Sequence, residues 1–141
     1  MDMKITGLRS DYEQVGGIVF FGRMLDKIRL KAAGRLPDAY FTGMANRTHF
    51  DARCCNFLRI DYAKLVERVL AGGTDEEILR WCFAQGRAPS AEEIEVWNGF
   101  LSKRGWRDAG SEELAVAKRE RGFGPRDDIQ TWFDLHRAEE E

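Results

Sequence analysis

The reactive side chains of this 141-residue sequence concentrate in one short stretch, where Tyr40, Asn46, Arg47, His49, Asp51, Arg53, Cys54 and Cys55 stand close together. The spacing His49-x-Asp51-x-x-Cys54-Cys55 offers a metal two or three ligands. A zinc site needs three or four in recurrent spacings such as CxxC or HxxxH, and neither occurs, so no metal is assigned. Cys54 or Cys55 would act as a nucleophile with His49 as base only if the thiol pKa were lowered and a third group such as Asp51 oriented the imidazole. The residue types are present, but their spacing does not assemble them, and free cysteines are mostly buried. No catalytic residue is assigned. His136 reads as a packing or C-terminal capping residue. Neither GxGxxG nor GxxxxGK[ST] occurs, and no cofactor is expected.

Charge is the stronger signal. Residues 23–59 carry Arg23, Lys27, Arg29, Lys31, Arg35, Arg47, Arg53 and Arg59 against Asp26, Asp38 and Asp51. Arg23, Lys27 and Lys31 lie four apart, one row of a helix. If the irregular segment after that helix folds back on it, the row meets Tyr40, Asn46, Arg47, His49, Asp51 and Arg53. Those nine residues form the candidate ligand-binding set. The halves of the chain differ in sign: residues 1–70 carry 12 Lys and Arg against 8 Asp and Glu, residues 71–141 carry 10 against 16. The net charge of -2 gives no global attraction to nucleic acid.

These residues must be positioned by helices. Ile18, Phe21, Leu25, Ile28 and Ala32 share one face, and the spacing predicts a helix from Gln14 to Ala33, closed by Gly34 and Pro37. Helices are also predicted over Phe50–Leu58, from an Asp61 cap to Ala71, and from Ser111 towards Gly122. Thr74-Asp-Glu-Glu77 and Ser90-Ala-Glu-Glu93 are capping boxes opening two further helices. Their shared Ile-x-x-Trp pattern predicts a helical hairpin with Ile78, Trp81, Ile94 and Trp97 in its seam. Asp127 and Asp128 are expected to cap a final helix after the Gly124-Pro125 break. Trp106 reads as a loop plug, residues 1–13 as an arm, and residues 139–141 as a frayed acidic tail. The expected fold is all-α, one compact domain over residues 1–141 with about six helices around a central N-terminal helix.

The stretches GGIVFFGRMLDKIRLKAAGRL, TDEEILRW with SAEEIEVWN, and PRDDIQTWFDLHR together resemble the small bacterial proteins grouped as domain-of-unknown-function family 5069, over essentially the whole chain. The terminal Asp-Ile-x-Thr-Trp-Phe-Asp-Leu is the specific part. The resemblance implies a single helical domain. It brings no activity, cofactor or catalytic residue, because the family has no assigned function.

Three cysteines, an odd number without framework spacing, fit a reduced, cytoplasmic protein, and no apolar run is long enough to span a membrane. The expected function is a non-enzymatic module that recognises a protein partner or a small anionic ligand through the basic face. The alternative is an enzyme with a pocket between the first helix and the Tyr40–Cys55 loop. Nucleic-acid binding ranks third.

Overall fold

Val15-Gly16-Gly17-Ile18 makes a turn rather than the start of a helix. Both glycines have positive φ, 57° and 81°, the conformation that a two-residue hairpin loop requires and that other residues resist. The turn joins β1 (Gln14–Val15) to β2 (Ile18–Val19), paired antiparallel with Gln14 opposite Val19 and Val15 opposite Ile18. Phe20 then takes a left-handed conformation at φ 71°, and the helix α1 runs only over Phe21–Ala32. The predicted start at Gln14 is therefore corrected by seven residues. Apolar periodicity alone did not separate a short buried hairpin from a helical turn.

The computed structural model describes residues 4–124 and 126–141; the first three residues of the arm and Pro125 of the predicted break lie outside the described residues. Six helices follow α1: α2 (Phe50–Leu58), α3 (Tyr62–Leu70), α4 (Asp75–Gln85), α5 (Ala91–Ser102), α6 (Ser111–Glu120) and α7 (Trp132–Glu140). The chain is a single, mostly helical domain with one small hairpin among its described residues.

Local chemistry sets the helix boundaries. Thr74 and Ser90 close both capping boxes, each accepting from the N–H of the glutamate three residues on while that glutamate bonds back. Asp61 accepts from the Lys64 N–H at 3.0 Å. The final helix is capped by Thr131, which accepts from the Asp134 N–H, and not by Asp127 or Asp128. Ile129 and Gln130 precede the helix, so the predicted boundary there is also corrected.

Helix α1 occupies the centre, with Phe21 through Ile28 and Leu30 all buried. Its apolar side meets Ile18, Phe20, Cys54, Cys55, Leu58, Leu65, Ile78, Leu101 and Phe133 in the main core. Leu114, Ala117, Ile129 and Leu135 make a smaller core beneath Phe123 and Trp132. Helix α5 packs on β2, where Trp97 donates its indole N–H to the Val19 carbonyl at 3.2 Å and stacks on Phe57 at 4.7 Å. Trp81 instead lines a shallow groove with Lys64, Glu67, Arg68 and Gln85. The two tryptophans thus serve different neighbours, and the expected seam between α4 and α5 is replaced by packing of each helix on the β-hairpin. Gly86, just past α4, passes so close to α2 that a Cβ there would lie 2.0 Å from the Leu58 carbonyl oxygen.

Candidate binding surface and the interior ion network

A helix buried on nearly every side has no outer face for a row of cations. Arg23 and Lys27 are only 3% and 7% exposed, which corrects their expected place on a solvent-facing basic surface. Burying a charge is costly unless it is paired and hydrogen-bonded, and each has acquired a carboxylate from a distant segment.

The Arg23 guanidinium grips Glu140 with two parallel bonds of 2.7 and 2.6 Å, donates to the Arg9 carbonyl at 3.1 Å, and approaches Asp11 at 3.6 Å. Glu140 also accepts from the Tyr40 hydroxyl at 3.0 Å. Burial and the adjacent Glu140 charge push the Tyr40 hydroxyl well above the ordinary tyrosine pKa. Asp11, 1% exposed, faces the His136 Nδ1 at 2.9 Å. Burial alone would raise the Asp11 carboxyl. The His136 and Arg23 charges more than offset this and hold it below its ordinary value. His136 is thus the partner of a buried carboxylate, more than a simple packing residue. Glu139 bonds Arg121 at 2.6 Å, so residues 139 and 140, read as frayed tail, form the last turn of α7 and lock it down.

Lys27 lies one turn further on. Its ammonium sits 2.7 Å from Asp51 Oδ1, donates to the Phe41 carbonyl at 2.8 Å, and rests over the Phe20 ring at 5.1 Å. The other Asp51 oxygen accepts from the Gly43 N–H at 3.0 Å. Asp51 Oδ1 has no aligned hydrogen bond, so the lysine's charge is what compensates it. Lys31, exposed on the next turn, donates to the Thr42 hydroxyl at 3.0 Å. These contacts stitch the irregular segment directly onto α1. Outside them, Arg9 and Arg29 share Asp26 and Asp75, with Arg9 at 2.9 and 2.7 Å.

Beyond Asp51 the same segment turns outward. Asn46 accepts from the Thr48 N–H and hydroxyl at 2.9 and 2.6 Å, closing a local turn that carries Arg47 at its exposed tip. His49 stacks on Phe41 at 4.1 Å, and Phe41 is itself 63% exposed. Partial burial, with the Lys27 charge, pushes the His49 imidazole below its ordinary pKa. Arg53 donates to the Thr48 carbonyl and lies over the Phe100 ring at 5.3 Å; Arg104 lies over the same ring at 5.8 Å. Phe100 is 42% exposed between them. Partial burial and the Arg104 and Arg47 charges lower the Arg53 pKa, as expected when three guanidiniums gather. Arg104 pairs with Asp108 at 3.4 Å. Among the described residues neither Arg47 nor Arg53 has a carboxylate partner.

The nine candidate residues therefore divide into two groups. Arg23, Lys27, Tyr40 and Asp51 belong to the interior network. Arg47, His49 and Arg53 face outward, with Asn46 shaping their loop and Lys31 fastening it. Sequence reasoning missed Phe100, Arg104, Asp11 and Glu140. Phe100 belongs to α5 and Arg104 to the turn just past it, and nothing local showed that Arg53 would meet the same ring. Trp106, expected to plug a loop, is 46% exposed with Arg107 over its ring at 5.1 Å.

Cys54, Cys55 and Cys82 are buried and unbridged. Burial pushes Cys54 far above its ordinary value and Cys55 and Cys82 up to about 12. Among the described residues no group of three His, Cys, Asp or Glu side chains is placed to hold a metal, and no helix is long and apolar enough to cross a membrane. Shallow concavities of about 320 and 390 Å³ lie on α6 and between α3 and α4; neither is lined by Tyr40–Cys55 residues.

A single mostly helical domain is what the sequence resemblance implied. The chain belongs to the family described as domain of unknown function DUF5069, whose profile matches residues 5–141. No curated protein matches the sequence.

Proposed function

We propose that the chain is a binding module whose arginine and aromatic surface receives a negatively charged protein partner, without a catalytic step of its own. The observation that carries this reading is the placing of Arg53 and Arg104 over the exposed Phe100 ring from separate segments, with the Arg47 charge acting on Arg53 and neither Arg47 nor Arg53 paired with a carboxylate. Like charges repel, and the fold maintains this arrangement where it could have paired each cation internally, as it does for Arg23 and Lys27. Arginine beside an exposed aromatic is the composition favoured at protein interfaces. The enzyme alternative draws less support, because its residues divide between a laced interior and an open exterior.

The test is fluorescence anisotropy of a labelled oligoglutamate peptide titrated with wild-type protein at low salt. Saturable binding is expected, weakening as salt rises and falling at least tenfold in R53E and in R47E. Equal binding by wild type and both variants overturns the proposal.

A further inference from the structure

The arginine surface adjoins its own electrostatic complement. Asp108 accepts from the Gly105 N–H at 3.1 and 3.0 Å while pairing with Arg104, and the Ser111 hydroxyl donates to the Gly105 carbonyl at 2.8 Å. This tight turn sets the first residues of α6 directly beside the end of α5. Helix α6 there carries Glu112, Glu113 and Glu120 along a shallow groove floored by Ala117 and edged by Val116, which is 43% exposed. The Glu113 charge reaches His49 at the margin of the arginine surface. One face of the molecule therefore holds a basic aromatic half and an acidic apolar half side by side.

Resting on the recognition reading above, we propose that the occupant of this face is a second copy of the chain, paired about a two-fold axis so that the arginine half of each protomer meets the α6 groove of the other. Two-fold pairing is the arrangement in which a face carrying both halves complements itself. Each turn of the axis brings Arg47 and Arg53 against Glu112 and Glu113, and places Phe100 and Val116 out of water. A standard interface takes about 800 Å² from each partner, roughly a tenth of the 8004 Å² this chain exposes. The contact is mostly charged at its rim, so the dimer is expected to be salt-sensitive.

Sedimentation velocity over a range of concentrations at low salt tests this. Wild type is expected to move from 16.2 kDa to twice that mass as concentration rises, and to revert at high salt. R53E and E113R are each expected to stay monomeric, and an equimolar mixture of the two to regain the dimer, since each restores opposite charge across both contacts. R47E, altering an exposed loop tip, repeats the R53E arm without touching the Thr48 contact. A circular-dichroism melt confirms folding of each variant. A monomeric wild type at every concentration, or variants that dimerise like wild type, or a mixture that stays monomeric, overturns the pairing. Should wild type stay monomeric and still bind the oligoglutamate peptide, the surface reading stands and self-pairing alone is lost. Should neither occur, both fall.

Discussion

Replacing Lys27 by methionine removes the charge that compensates Asp51 while keeping most of the side-chain volume. Asp51 is 1% exposed and Lys27 7%, so water cannot substitute for the lysine. The Gly43 N–H remains on one carboxylate oxygen, and the other is orphaned. Leaving a buried charge without its partner costs about 3–5 kcal/mol. The escape is for the carboxyl to take a proton, which at pH 7 costs an ordinary aspartate about 4 kcal/mol. Both routes give a loss near 4 kcal/mol, or a melting temperature lower by roughly 10–15 °C. The second route shrinks with pH: at pH 5 the same protonation costs only about 1.5 kcal/mol. K27M should therefore melt far below wild type at pH 7 and much closer to it at pH 5, and K27M/D51N should regain most of the loss at both. Urea titrations at the two pH values, with the double variant as the closing corner of the cycle, measure this directly. A K27M protein within a degree or two of wild type at pH 7, or a double variant no better than K27M, refutes the reading of Lys27 as an interior counter-ion.

Three further outcomes follow from the same geometry. Leu25→Asp places an unpaired carboxylate at a fully buried site of α1 and should cost about 4 kcal/mol or more in a denaturant titration; a near-native midpoint would show the buried face wrongly assigned. Gly86→Ala brings a methyl group to 2.0 Å from the Leu58 carbonyl and 2.5 Å from that of Arg59, and the helix junction must shift, for a loss of about 3 kcal/mol by the same assay; an unchanged midpoint would contradict the close approach of α2 and α4. Burial and Lys27 lower the His49 pKa below its unfolded value of 6.5. The unfolded chain therefore binds the proton first, and stability falls as pH drops through 6.5 towards the folded value. H49Q should flatten that part of the melting-temperature profile, and a variant profile parallel to wild type would exclude His49 as its source.

What was legible in the sequence were signals carried by near neighbours. Thr74 with Glu77 and Ser90 with Glu93 are capping boxes at either level of description, because a cap is a contact across three residues. Helix α2 was bounded correctly from apolar spacing within its own nine residues, without a side-chain cap at His49. The centrality of α1 was legible from its apolar stripe, but its start was not, since the turn at Gly16-Gly17 is followed by apolar residues that suit a strand and a helix equally. The fate of Arg23 and Lys27 was out of reach. Their spacing marks one row of a helix, but whether that row faces water depends on Asp11, Asp51 and Glu140, brought in from 12 to 117 positions away. The outward surface shows the same limit, as Arg47 and Arg53 were recognised while Phe100 and Arg104, contributed by α5 and the turn that follows it, were not.

The central claim is that the cations of this chain are divided, with Arg23 and Lys27 holding the interior and Arg47, Arg53 and Arg104 left to meet a partner. The most direct measurement is a nitrogen-15 NMR titration with the oligoglutamate peptide, following the arginine Nε–H resonances and the backbone amides. The account predicts perturbations centred on Arg47, Arg53, Arg104 and Phe100, with Arg23 and Lys27 unmoved. Perturbations centred on Arg23, Lys27 and Tyr40, or none at the Phe100 surface at saturating peptide, would contradict it.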